Sequence, residues 1–293
     1  MIQLKQTYGS LIDAVPELKE YLNVSEQSFI LTSELAGKSS EDWNSLEARV
    51  LSLLMYHSLN TSLSVRLLTT FAQPIEALAL LRVRFEQLIV SSFLINSEKK
   101  DGFEPFISDI ERSDYRYSQA IKNIDPLIYG SIEKIFQDEL NHAKLKTFFN
   151  ERSIDPNFDF EKDRLKNKWT NLNKYEMCVK RDELVDEHDP IQSIKLSQIY
   201  LSIYKFASIF VHCETGILTE NFLSNYKGQP SPNISLVLTN LINVAQIDLI
   251  QSYEILKFIK PNKVQKHLDL YNSYNKMVLN DYQLIIDKIV KAL

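Results

Sequence analysis

Residues 74–96 read PIEALALLRVRFEQLIVSSFLIN, which includes the most apolar stretch of the chain. This stretch is long enough for a membrane span, but it contains Glu76, Arg82, Arg84, Glu86 and Gln87. Each charge near the centre of a bilayer costs roughly 2.5–3.5 kcal/mol. Pro74 suits the first turn of a helix, because its missing N–H has no helical partner there in any case. We therefore predict a core helix that begins at Pro74 and ends near Asn96.

The composition of the whole chain agrees with a helical fold. The 293 residues include only 6 glycines and 9 prolines, and a sheet-rich fold of this length needs more turn residues. Hydrophobic residues make up 44% and charged residues 24%, which excludes wholesale disorder. The net charge of −5 gives no overall attraction to nucleic acid or to an acidic membrane. Two cysteines without a CxxC pair, and no secretory signal, lead us to expect a cytoplasmic protein.

Periodic segments and the breaks between them predict an all-α fold, a single bundle of about eight to ten helices with a C-terminal helical hairpin. The predicted helices cover about 4–22, 25–36, 41–73, 74–96, 104–122, 127–151, 169–185, 192–225, 234–259 and 262–292. Ser25 is the predicted N-cap of the second helix, and Ser39 with Asp42 has capping-box-like spacing before the third. A lid-like loop is predicted at 152–168. The linker 228–233 separates a main domain, 1–227, from the hairpin, 228–293, which packs on the same core or forms a dimer.

Charged residues break the apolar pattern of the helix predicted at 74–96. On a helical wheel, Glu76, Arg84, Gln87 and Ser91 gather on one face, which we expect to be the more hydrated one. Arg82 and Glu86 lie almost opposite, among apolar residues, so we expect them to be buried. They are four residues apart and can pair along the helix. Either they form an internal ion pair that fixes helix register, or Glu86 holds a guanidinium that points into a pocket.

The helix predicted at 192–225 carries a row of polar side chains beside its apolar stripe. Tyr204, Ser208 and His212 follow one another at four-residue steps, with Thr215 and Thr219 on the same flank. Of these residues, His212 alone titrates near neutral pH, which makes it the candidate general acid or base. The alternative is a histidine that serves packing or an interface.

Other motifs give little support for chemistry. Arg181 and His188 match the loose Arg-x4–6-His pattern of HEPN ribonucleases, but the stretch between them is acidic and would repel RNA phosphate. We interpret this match as a coincidence. The chain has no glycine-rich phosphate loop, no HExxH motif and no EF-hand loop, so we expect neither a nucleotide cofactor nor a metal.

The unusual residues also carry a family resemblance. The run ALALLRVRFEQLIVSSFLI, residues 77–95, resembles the Ala-x-x-Leu-x-Arg-x-x-x-Glu helix of the bacterial domain of unknown function 5677 family, with Arg82 and Glu86 at the charged positions. Trp169 and the run YLSIYKFASIFVHCETG, residues 200–216, resemble its second block, which contains a Tyr-x-x-x-Ser-x-x-x-His helix. The resemblance covers roughly residues 45–225. It implies an all-helical bacterial protein and groups the two helices around one site, but it supplies no established activity.

We therefore predict that Arg82, Glu86, Tyr204, Ser208 and His212 converge in a polar pocket between two core helices. In one hypothesis the protein is a metal-independent ribonuclease, as in toxins and phage-defence effectors. Arg82, Glu86 and His212 are then catalytic, and Tyr204 and Ser208 bind the RNA substrate. In the other hypothesis the protein is not an enzyme, and these residues fix packing or bind a small ligand, a protein partner or a second copy of the chain. Neither hypothesis involves a cofactor, a metal or a membrane.

Overall fold

The computed structural model describes residues 17–37, 45–71, 73–107, 109, 169–211, 234–280 and 288. All regular secondary structure in these ranges is helical, which confirms the predicted all-α class. The described residues fall into two compact units, one within 1–96 and 174–293 and the other within 97–173. The helices of the first unit are α1 Glu17–Ala36, α2 Leu46–Thr70, α3 Pro74–Asn96, α4 Lys174–Leu184, α5 Leu196–Ile199, α6 Lys205–Val211, α7 Ile234–Ile259 and α8 Gln265–Asn280.

Two of the predicted helices are confirmed with their boundaries, and two predicted helix starts are wrong. The helices predicted at 74–96 and 234–259 correspond to α3 and α7. Ser25 is not an N-cap, because α1 continues through it and its buried Oγ donates to the carbonyl of Leu241 on α7, at 3.4 Å. Helix α2 begins at Leu46, later than predicted, after Ser45 Oγ accepts the N–H of Ala48 at 3.1 Å. Such a cap stabilises a helix by about 1 kcal/mol.

Several predictions lie outside the described residues. They are the Ser39–Asp42 capping pair, the loop 152–168, the linker 228–233 and most of the helices predicted between 104 and 151. The domain boundary near residue 227 therefore stays a prediction. Helix α7, which follows that boundary, belongs to the same compact unit as α1, α2 and α3.

Helices α3 and α7 form the centre of the first unit. Helix α7 packs against α1, α2 and α3, and α3 also packs against α2, α4 and α6. Phe85 and Leu88 of α3 and Leu249 and Ile250 of α7 are completely buried. Each such side chain contributes roughly 1.5–3 kcal/mol on burial. Since α3 has neighbours on several sides, some of the charged residues that the sequence places on it are enclosed by other helices.

The face of α3 that was predicted to be hydrated is mostly buried, which corrects part of the helical-wheel prediction. Arg84 and Ser91 are buried and Gln87 is half-buried, whereas Glu76 is exposed as predicted. Arg84 has no exposed surface, and its Nε and Nη2 donate to Asp248 Oδ1 of α7 at 3.1 and 2.9 Å. Ser62 Oγ donates to the same oxygen at 2.6 Å, and Arg66 Nη1 forms an ion pair with Asp248 Oδ2 at 2.8 Å. Burial lowers the pKa of Arg84, and the nearby carboxylate of Asp248 opposes that shift. We call Ser62, Arg66, Arg84 and Asp248 the Asp248 cluster.

A second buried ion cluster joins α4 to α3 and α7. Arg181 of α4 donates through Nη2 to Glu254 Oε1 of α7, and Ser92 Oγ of α3 donates to the other oxygen of Glu254. Arg181 Nε donates to Ser92 Oγ at 3.0 Å, and its Nη1 donates to Asp182 Oδ1 at 3.2 Å. We call Ser92, Arg181, Asp182 and Glu254 the Arg181 cluster. Arg181 is therefore occupied in the core, in agreement with the interpretation that its HEPN-like spacing to His188 is a coincidence.

The second unit is described at residues 97–107, 109 and 169–173. Residues 97–102 form the predicted loop, and 103–107 are helical. The rings of Phe106 and Trp169 meet edge to face, with centroids 5.1 Å apart. Within the described part of the chain, no helix combines the length and the apolar character that crossing a membrane requires.

Candidate functional site

A π-helical segment interrupts the helix that was predicted at 192–225. Residues Tyr200–Tyr204 form the π-helix between α5 and α6, and the N–H of Lys205 donates to the carbonyl of Tyr200. Single π-turns of this kind are rare in helices and concentrate at functional sites. The start of α5, which leads directly into the π-helix, is fixed by Asp182, whose carboxylate accepts the N–H groups of Leu196 and Ser197 at 2.8 and 2.9 Å. The Arg181 cluster thereby holds the π-helix against the core.

The π-helix brings Tyr204 to Arg82 of α3. Arg82 Nη2 donates to the Tyr204 hydroxyl at 3.0 Å, and the guanidinium carbon lies 4.7 Å from the centroid of the Tyr204 ring. Arg82 Nε also pairs with Glu86 Oε1 at 3.6 Å, one turn along α3. The structure therefore brings together three of the predicted site residues, Arg82, Glu86 and Tyr204, although 122 residues separate Arg82 from Tyr204.

This group of three residues is partly exposed, which corrects the prediction that Arg82 and Glu86 are buried. The Arg82 side chain is 21% exposed and that of Glu86 is 33% exposed. The physical reason is the position of α7, which covers the opposite face of α3 and supplies Asp248 to Arg84 there. A helical wheel of α3 alone contains no information about which neighbour carries a carboxylate. The Arg82 side chain therefore reaches the surface while its guanidinium keeps its contacts with Tyr204 and Glu86.

Arg82 and Glu86 act on Tyr204, and Lys174 lies within the electrostatic range of Glu86. Lys174 is the first residue of α4, and burial lowers the pKa of its ammonium group while Glu86 opposes the shift. Burial raises the pKa of Tyr204; the hydrogen bond from Arg82 opposes this shift, and the Glu86 carboxylate adds to it. Tyr204 is therefore a neutral phenol at physiological pH. Two cations, Arg82 and Lys174, share one carboxylate, and such a group suits an anionic ligand.

Of the two remaining predicted residues, the structure describes Ser208 but not His212. Ser208 Oγ donates to the carbonyl of Tyr204 at 2.6 Å, so its proton is already used within the helix. This bond places Ser208 one turn beyond Tyr204 but gives it no contact with Arg82. His212, together with Thr215 and Thr219, lies outside the described residues.

Two further tyrosines extend the site, and the sequence reasoning missed both. The Tyr200 and Tyr204 rings stack with centroids 4.5 Å apart at 16°, and the Tyr175 ring of α4 lies 5.4 Å from Tyr200 at 53°. We call Tyr175, Tyr200 and Tyr204 the tyrosine ladder. The four-residue spacing of Tyr200 and Tyr204 was a usable signal. Tyr175 carries no comparable signal, because it reaches the ladder only through the packing of α4.

The comparison with known families covers the helices that form this site. A family model described as a family of unknown function (DUF5677) matches residues 48–229, which is more than half of the chain. The chain belongs to this family. The DUF5677 match spans α3 with Arg82 and Glu86 and the later helix with Tyr204, so the resemblance inferred from the sequence is confirmed. Neither a curated protein nor a solved structure matches the chain.

The described part of this DUF5677 protein holds no group of three or more histidine, cysteine, aspartate or glutamate side chains that could bind a metal ion. The chemistry at hand in the described site is therefore that of a guanidinium, an ammonium group, a carboxylate and phenols. Groups of these kinds are able to bind and orient an anion. A general acid or base that titrates near neutral pH is not among the described groups of this site. If the protein is an enzyme, His212 is the candidate that the sequence offers for this role.

Proposed function

We propose that this protein binds RNA at Arg82 and Tyr204 and cleaves it with His212 as the proton-transfer group. The observation that carries the proposal is the partly exposed side chain of Arg82, 21% of which is accessible, held by its hydrogen bond to Tyr204 at 3.0 Å. A guanidinium held in this way binds a phosphate through charge-assisted hydrogen bonds and loses little side-chain freedom in doing so. Lys174 and the exposed Lys205 add positive charge nearby.

The proposed reaction is attack by a ribose 2′-hydroxyl on the adjacent phosphorus. The 2′-oxygen forms a bond to phosphorus, and the bond from phosphorus to the 5′-oxygen breaks, which yields a 2′,3′-cyclic phosphate and a 5′-hydroxyl end. His212 accepts the proton of the attacking hydroxyl, and water supplies a proton to the departing oxygen. Arg82 stabilises the negative charge that develops on the phosphoryl oxygens. Glu86 orients Arg82, and Tyr204 and Ser208 position the substrate.

The test is cleavage of end-labelled RNA by the purified full chain, with analysis of the product ends. We expect His212→Ala and Arg82→Ala to reduce the cleavage rate by at least tenfold, because general acid–base catalysis contributes about 10²–10⁴-fold. His188→Ala and Arg49→Ala are matched controls, since both residues are exposed and lie elsewhere in the fold. A toxin or phage-defence effector should also arrest growth when expressed, and the two site variants should not. Equal cleavage by folded wild type and both site variants rejects the enzyme proposal.

The alternative is a non-enzymatic protein in which these residues are structural or bind a small ligand or partner. The observation that favours it is local pairing, since Ser208 bonds to its own helix and Arg82 pairs with Glu86 on the same helix. If the residues are only structural, replacing both Arg82 by Met and Glu86 by Leu leaves stability nearly unchanged or raised and keeps the in-cell phenotype. Under the ribonuclease proposal the same double variant loses RNA cleavage and growth arrest.

A further inference from the structure

We infer that the tyrosine ladder is a stacking surface for unpaired nucleobases, so that the substrate of the proposed site is single-stranded RNA. This inference rests on the proposed function for its substrate class, but it is carried by a separate observation. Three tyrosine rings and one guanidinium follow one another in contact, in the order Tyr175, Tyr200, Tyr204 and Arg82.

The ladder is accessible at its outer end. Tyr175 is 39% exposed, whereas Tyr200 and Tyr204 are half-buried. Tyr204 faces Tyr200 on one side and the Arg82 guanidinium on another, and Tyr200 lies between the two other rings. The free aromatic surface is therefore that of Tyr175. An exposed ring that is supported from behind by other aromatic rings suits a planar ligand.

The position of the cations favours a strand over a single nucleotide. Arg82 stands at the inner end of the ladder, and two rings lie between it and Tyr175. A base on Tyr175 and a phosphate at Arg82 then belong to different nucleotides of one strand. Lys174 immediately precedes Tyr175 and is placed to contact the connecting backbone. Bases in a duplex are already stacked on each other, so a stacking surface selects unpaired RNA.

The experiment measures binding of a fluorescently labelled single-stranded RNA whose 2′-hydroxyls are methylated, so that it cannot be cleaved by 2′-hydroxyl attack. We expect Tyr175→Ala to weaken binding about tenfold, within the range known for loss of one base–aromatic stack. Tyr175→Phe keeps the ring and should bind like the wild type. Leu184→Ala is the matched control, because Leu184 is a similarly exposed residue of the same helix. A duplex of the same sequence should bind at least tenfold more weakly than the single strand.

The outcomes separate this inference from the ribonuclease proposal. If Tyr175→Ala weakens binding of the single strand and Tyr175→Phe does not, the result supports the tyrosine ladder as a stacking surface. If His212→Ala leaves cleavage unchanged in the same set of experiments, the ribonuclease proposal is rejected. His212-dependent cleavage with equal binding by Tyr175→Ala and the wild type rejects the ladder and keeps the nuclease. Equal affinity for duplex and single strand also rejects the ladder. If adenosine monophosphate competes as strongly as the oligonucleotide, the ligand is a free nucleotide and the assignment to RNA is overturned.

Discussion

The Asp248 cluster and the Arg181 cluster hold α7 to its neighbours with the same three kinds of side chain. In each cluster an arginine Nε donates to a serine Oγ, that serine donates to a carboxylate of α7, and the arginine Nη2 binds the same carboxylate. The clusters differ in which charge is in excess. Asp248 stands between two guanidiniums, whereas Arg181 stands between two carboxylates.

This difference indicates which residue each cluster cannot lose. Removing the central charge, Asp248 or Arg181, leaves two like charges buried without a counter-ion. Burying an uncompensated charge costs several kcal/mol. Removing one of the two outer like charges leaves the central charge paired with the remaining one. The essential member should therefore be the carboxylate in one cluster and the guanidinium in the other, although the two hydrogen-bond patterns look alike.

The largest effect is expected from Arg181→Met. This change strands Asp182 and Glu254 and also removes the bonds from Arg181 Nη1 to the carbonyls of Gln192 and Ile194, at 2.9 and 2.7 Å. We expect a loss of about 3–5 kcal/mol in the free energy of unfolding, measured by urea denaturation followed by circular dichroism. Glu254→Gln leaves Arg181 paired with Asp182 and should cost only about 1–2 kcal/mol. An equal or larger loss for Glu254→Gln contradicts the charge-excess explanation.

The opposite order is expected in the Asp248 cluster. Asp248→Asn leaves Arg66 and Arg84 facing each other, and we expect a loss of about 3 kcal/mol in the free energy of unfolding. This loss should be somewhat smaller than that for Arg181→Met, since the Arg66 side chain is 11% exposed and water can solvate its charge. Arg84→Met leaves Arg66 paired with Asp248 and should cost less than Asp248→Asn under the same urea assay. If Arg84→Met is the more destabilising of the two, charge excess does not determine the stability of this cluster.

The sequence was sufficient to predict the helical class, the boundaries of α3 and α7 and the meeting of Arg82, Glu86 and Tyr204. Those features depend on local periodicity and on unusual residues at fixed spacing, both of which are present in one segment at a time. The burial of Arg84 could not be predicted, because it depends on Asp248, which is 164 residues away and on another helix.

The same limit applies to the π-helix and to the tyrosine ladder. A π-turn follows from packing constraints on both of its sides, and no residue type specifies it. Tyr175 joins Tyr200 only because the Arg181 cluster and the cap by Asp182 fix α4 against α5. Ser25 was predicted to be an N-cap because serine favours helix starts. In the structure it lies in the middle of α1, where it is buried in contact with α7.

The smallest effect on stability is expected at the proposed functional site. Arg82 lies two residues before Arg84 on the same helix, yet its side chain is 21% exposed and its carboxylate partner is on its own helix. Partly exposed pairs of this kind contribute about 0–1 kcal/mol and the hydrogen bond to Tyr204 about 1 kcal/mol, so Arg82→Met should lower the free energy of unfolding by no more than about 2 kcal/mol. The same variant should lose RNA binding and cleavage, whereas Arg82→Lys keeps the charge and should retain part of the binding. Measuring the free energy of unfolding and RNA binding for both Arg82→Met and Arg84→Met decides whether Arg82 serves function while Arg84 serves stability. A large loss of stability in Arg82→Met would make it a structural residue and would favour the non-enzymatic alternative.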